Sequence, residues 1–153
     1  MLRRIVVDTN LLVPSLYRKT PLAERILSGE FLLCLCPEIS NEVYQKIDYL
    51  ESYLYQPTRN DTKALLRNDV IEIFKLLEAV AHNEKVYTSR CPPDYALSLK
   101  DPFDRCFLWT AYKTDAEYLL TGDGVLLAEN THHIARICRL NDFWGFIDHE
   151  KAE

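Results

Sequence analysis

Glycine is scarce in this chain, four in 153 residues, and there is no internal repeat, low-complexity tract or linker to go with it. Few flexible joints are left, so the sequence reads as a single domain over residues 1–153. Long apolar runs are missing too. Ile5-Val6-Val7 stops on Asp8, and Met1-Leu2-Arg3-Arg4 leads into nothing long enough for a signal peptide or a spanning helix. The expectation is a cytoplasmic protein with no membrane partner. Paired cysteine spacing is absent: Cys34, Cys36, Cys91, Cys106 and Cys138 are odd in number and contain no Cys-x2-Cys, which argues against a disulfide framework and a zinc site. They are expected to be reduced and mostly buried. Basic excess is absent as well. Eighteen Lys and Arg against 23 Asp and Glu give a net charge of −5, so the overall field repels a polyanion and any nucleic acid must be held locally.

What the chain does have is ordinary globular composition, 48% hydrophobic and 27% charged, at a length that buries roughly 68–70% of the unfolded surface. Arg3 to Asp8 reads as a strand apolar on both faces, as in a buried parallel sheet. A helix follows with Thr20 as cap, Pro21 at its first position and Ala23, Ile26 and Leu27 as its apolar side. Phe31 to Cys36 is a second strand, with Cys34 and Cys36 as small core residues. Pro37 to Leu54 is helical, since Val43, Ile47, Leu50 and Leu54 recur at steps of four and three. After Asn60 a second helix puts Leu66, Val70, Ile73, Leu77 and Val80 on one face, and the two helices form a hairpin beside the sheet. Lys85 to Thr88 is a third strand, and Ser89 to Lys100 a loop. Beyond it come a helix over Phe103 to Tyr112, a strand over Glu117 to Thr121, a helical turn over Val125 to Leu127, a strand over Ile134 to Cys138 and a closing helix over Asn141 to Phe146. This alternation implies an α/β fold with a parallel sheet between helices.

The acids stand out against that frame. Asp8 and Asp123 each end an apolar run, and Asp101-Pro102-Phe103-Asp104 opens a helix. In open α/β sheets ligands bind beyond the carboxyl ends of the strands, so these acids can converge there. Gathered carboxylates repel one another unless a cation lies between them, and a divalent ion fits that need.

Val7-Asp8-Thr9-Asn10, Glu42 after Ser40, Asp101-Pro102 with Asp104, Leu120-Thr121-Gly122-Asp123 with Leu126-Leu127, and then His133-Ile134 and Asn141-Asp142-Phe143, follow one another over nearly the whole chain. In this the sequence resembles the PIN domain nucleases, within them the toxin-like group. The resemblance implies a three-layer α/β/α sandwich with a central, mostly parallel sheet of four to five strands. It also implies a metal-dependent endoribonuclease, often a toxin silenced by an antitoxin protein, and a homodimer. The family's acidic quartet carries over to Asp8, Glu42, Asp104 and Asp123 as catalytic and metal-holding groups, Asp101 as an additional acid, and Asn10 and Thr121 as supporting polar groups. Mg²⁺ or Mn²⁺ is the implied cofactor and RNA the implied substrate. Phosphodiester hydrolysis needs an activated water and neutralised phosphate charge, and hard cations that supply both prefer carboxylate oxygens.

Each piece also has a plainer reading. Asp8 or Asn10 alone caps a helix, Asp101 before Pro102 does the same, Asp123-Gly124 is a turn dipeptide, and Glu42 near Glu38 is a solvated helix face. His132-His133 reads as a polar loop. Tyr44, Tyr49, Tyr53 and Tyr55 stack on unpaired bases, pack a dimer or cover the core, with the core favoured. Arg18, Lys19, Arg59, Lys63, Arg67, Lys100 and Arg105 are candidate phosphate contacts. A receiver-type signalling domain is disfavoured, because Thr88-Ser89 and Arg139-Leu140 stand where it needs an acceptor Asp and a Lys. A PIN-like module that has lost catalysis and only binds RNA or protein remains the alternative.

Overall fold

The computed structural model describes residues 2–53, 66–129 and 134–151. Four strands form one sheet: β1 (Arg3–Val7), β2 (Phe31–Leu33), β3 (Tyr118–Leu120) and β4 (Arg136–Cys138), in the order β2-β1-β3-β4 and parallel at every pairing. Ile5 pairs with Leu33 on one side and Tyr118 on the other, and Val7 with Leu120. The strands are as apolar as a sheet covered on both faces requires: Ile5, Val6, Val7, Leu119 and Leu120 are all buried.

Helices fill both faces. The helices are α1 (Thr9–Arg18), α2 (Pro21–Leu27), α3 (Pro37–Tyr53), α4 (Arg67–Asn83), α5 (Pro102–Thr114), α6 (Gly124–Leu127) and α7 (Leu140–Lys151). Side chains in register across parallel strands share a face. Phe31 and Tyr118 carry the α7 ring of Phe143 at 5.3 and 5.1 Å, and the Arg25 guanidinium of α2 lies over Phe31, so α2 and α7 cover that face. Arg4 points the other way and its Nη1 donates to the carbonyl of Thr114, which puts α5 on the opposite face. The result is an α/β/α sandwich. α3 and α4 run antiparallel: Tyr44 of α3 meets Phe74 edge-on at 5.2 Å and donates its hydroxyl to Glu78, while Asp48 further along α3 meets Arg67 at the start of α4. This is the expected hairpin; the segment joining the two helices, with Tyr55, Arg59 and Lys63, lies outside the described residues.

Four expectations need correction. Lys85–Thr88 is not a strand. Lys85 takes a left-handed backbone (φ 58°) that closes α4, and what remains makes one isolated parallel bridge, Leu35 to Tyr87. The buried stripe of α4 is Val70, Phe74, Leu77 and Ala81, whereas Leu66 and Val80 are exposed. Steps of four, three and four describe the same helix turned slightly from the face read in the sequence. β2 ends at Leu33, because Pro37 already opens α3, although Cys34 and Cys36 are buried as expected. Of α1 only the capped start is anticipated, in the capping reading of Asp8; its run to Arg18 is not. Pro14 lies inside it, a residue that breaks most helices by removing a backbone donor, at about 3 kcal/mol.

Candidate active site

The strand order reverses direction between β1 and β3, since the chain moves from β1 to β2 on one side and to β3 and β4 on the other. A cleft of about 580 Å³ opens at the carboxyl ends of these two strands, and Asp8, Glu42, Asp101, Asp104 and Asp123 all line it. These acids span 116 positions of sequence, and the fold delivers each by its own device.

Asp8 directly follows β1 and caps α1. Its Oδ1 accepts from the amide of Asn10 (3.0 Å), its Oδ2 accepts from the Thr121 hydroxyl (2.8 Å), and its own amide continues the sheet to the carbonyl of Leu120 (2.8 Å). Asp101 caps α5 through the amide of Phe103 (2.9 Å), with Pro102 at the first helical position. Asp123 caps α6 through the amide of Val125 (2.9 Å). The capping reading of these three residues is therefore correct and compatible with a second role. A short carboxylate satisfies free amides at a helix start and keeps lone pairs for another partner. Three helix starts thus aim their partial positive charge at one cleft.

Asp104 and Glu42 are held differently. Asp104 stands one turn into α5 and is buried, and its carboxyl is pushed up to about 6, first by burial and then by Asp101, Asp123, Asp8 and Glu42. Glu42, on α3, is buried rather than on a solvated face. Its Oε1 accepts from the Thr9 hydroxyl, and its Oε2 is buried without a hydrogen-bond partner. Burial raises its pKa, opposed by the Thr9 hydrogen bond and by Lys46. A buried carboxylate oxygen with no donor is costly unless something cationic or protonated meets it.

Both supporting groups are present. Thr121 bridges two acids, donating to Asp8 Oδ2 while accepting from the amide of Asp123 (3.0 Å). Asn10 holds Asp8 through its amide, but its side-chain oxygen accepts from Lys46 Nζ. Sequence reasoning missed Thr9 and Lys46. Thr9 sits inside the quoted Asp8-Thr9-Asn10 motif, and Lys46 follows Glu42 by four residues, the spacing of helical neighbours. Of the four tyrosines, Tyr49 lines the cleft, whereas Tyr44 turns to α4. Arg105 donates to the carbonyl of Leu99 (2.5 Å). His132-His133 lies outside the described residues.

The donor set is all carboxylate oxygen, which suits a hard divalent cation, and the orphaned Glu42 Oε2 supplies a place for one. Among the described residues no three His, Cys, Asp or Glu side chains stand together as a ready-made metal cage. The acids line one cleft without closing around one point.

Fold and cleft together define a parallel α/β/α protein with a carboxylate-lined cleft at its switch point. The sequence profile of the PIN domain matches residues 4–124, from β1 through Asp123 at the start of α6, and the chain belongs to the PIN domain family. PIN domains are generally nucleases, typically use divalent metals and act on nucleic acid. No curated protein matches the chain. No helix among the described residues is long and apolar enough to cross a membrane.

Proposed function

We propose that the chain is a Mg²⁺- or Mn²⁺-dependent endoribonuclease that hydrolyses RNA phosphodiester bonds, and that it is the toxin of a toxin–antitoxin pair. The observation that carries the nuclease reading is the meeting of Asp8, Glu42, Asp104 and Asp123 in one cleft, with Asp104 raised to about 6 first by burial and then by its acidic neighbours. Clustered like charge that costs stability marks a functional site more often than a structural one. The toxin role, an antitoxin partner and a homodimer rest on the toxin-like resemblance of the motifs.

Asp8, Asp104, Asp123 and Glu42 would hold the cation, with Asp101 at the rim. When bound, it lowers the pKa of a water and offsets charge developing on the phosphate. The chain's own residues do the rest. Thr121 and the Asn10 amide fix both oxygens of Asp8, so its orientation is set in advance. Thr9 fixes one oxygen of Glu42, and the other is buried without a hydrogen-bond partner. Asp104, with a pKa near 6, surrenders its proton at neutral pH and keeps it in mild acid.

The test is cleavage of labelled single-stranded and structured RNA across a Mn²⁺ titration, with EDTA and Asp104→Ala as controls. Internal cuts that need the cation and vanish in Asp104→Ala support the proposal. Metal-independent cutting, or equal cutting by the variant, overturns it and points to a contaminant, whereas no cutting at any Mn²⁺ concentration leaves an inactive binding module.

A further inference from the structure

An acidic cleft repels the polyanion it is proposed to cut, so some feature must hold the strand near the acids. α3 supplies one. Glu42, Gln45, Lys46 and Tyr49 follow at steps of three, four and seven from Glu42, which is one helical face, and all four line the cleft. Glu42 is buried, Lys46 half-buried, and Gln45 and Tyr49 exposed, so this face climbs from the acidic floor to the rim. At 1.5 Å per residue the climb is about 10 Å.

Lys46 carries the only positive charge among the described residues lining the cleft. Its ammonium donates to Asn10 Oδ1, which leaves further N–H donors for an anion. Three residues on, Tyr49 exposes 56% of its surface, and across the cleft Phe103 of α5 exposes 39%, although large apolar groups are elsewhere mostly in the core. A cation beside an exposed ring is the chemistry that holds an unpaired nucleotide: charge for the phosphate, a flat face for the base.

We propose that Lys46 and Tyr49 form the subsite for the nucleotide next to the scissile bond. Lys46 binds its phosphate, Tyr49 stacks its base, and Phe103 bounds the opposite wall. Asn10 then acts as a positioning residue for Lys46 as well as for Asp8. This subsite rests on the nuclease reading above, and the test separates the two.

The probe is a short single-stranded oligoribonucleotide with phosphorothioate linkages and one 2-aminopurine, titrated in Mn²⁺ at several salt concentrations. Lys46→Met is expected to lower the slope of log affinity against log salt by about 0.7, the value of one phosphate contact on a single strand, and Lys46→Arg to restore it. Tyr49→Ala is expected to weaken binding about 5- to 100-fold and to remove the quenching of 2-aminopurine, whereas Tyr49→Phe keeps both. An unchanged slope in Lys46→Met, or quenching retained in Tyr49→Ala, overturns the subsite while leaving the nuclease reading intact. No binding by the unaltered protein overturns the nuclease reading and the subsite together.

Discussion

The two ends of the sheet treat charge in opposite ways. At the amino ends of the strands, opposite or complementary groups meet: Arg3 faces Glu117 at 3.7 Å, Arg4 donates to the Thr114 carbonyl at 2.8 Å, and the Arg136 guanidinium lies 3.7 Å over the Phe146 ring. At the carboxyl ends, five acids share one cleft with a single lysine among the described residues, and Glu42 Oε2 is buried without a donor. Charges at the first end are arranged for stability. At the second they are arranged against it, a pattern expected where a ligand, and not the fold, supplies the compensation.

The largest effect that could break this contrast is on activity. Asp8→Asn and Asp104→Asn are expected to lower RNA cleavage on the order of 100-fold or more, whereas Arg4→Gln at the opposite end leaves turnover unchanged and lowers only stability. Cleavage rates and melting curves of the three variants, measured side by side, check this. A next effect is on affinity. Thr121→Val removes the hydroxyl that orients Asp8 without removing any acid, and divalent-ion affinity is expected to fall about 10- to 100-fold, read by calorimetry.

Stability then separates the ends by sign. A folded-state pKa raised to about 6 means that the folded chain binds the Asp104 proton more tightly than the unfolded chain does. Protonation therefore supports folding below the ordinary carboxylate range, and that support fades as pH rises through about 6. Without added cation, Asp104→Asn is expected to raise the melting temperature at pH 7 by a few degrees, about 1–2 kcal/mol, and the gain is expected to vanish near pH 4. Arg3→Ala, which breaks a long, half-buried pair, is the smallest effect, about 1 kcal/mol in a denaturant titration.

The same contrast explains what was legible in the sequence. Strand cores such as Ile5-Val6-Val7 and Tyr118-Leu119-Leu120 announce themselves because a strand buried on both faces leaves no polar positions. Asp8 and Asp123 are legible because each ends such a run, and Asp101 because Pro102 follows it. Beyond its cap at Asp8, α1 is not legible, since Pro14 argues against it locally while burial of Leu12, Val13 and Leu16 wins in the fold. Lys85–Thr88 has strand composition, but among the described residues it pairs only with Leu35, and pairing is a tertiary fact. Lys46 and Thr9 escaped because nothing about a lone Lys or Thr distinguishes it until the group it touches, the Asn10 side chain for Lys46 and Glu42 for Thr9, is brought alongside.

The central claim is that acids distant in sequence share one divalent cation. Calorimetric titration of the purified chain with Mn²⁺ at pH 5 and pH 7 tests it most directly, with Asp104→Asn as the comparison. Saturable binding that tightens from pH 5 to pH 7 with release of a proton, and that is lost in the variant, is the predicted result. Absence of saturable binding at pH 7, or binding of equal strength by Asp104→Asn, would contradict it.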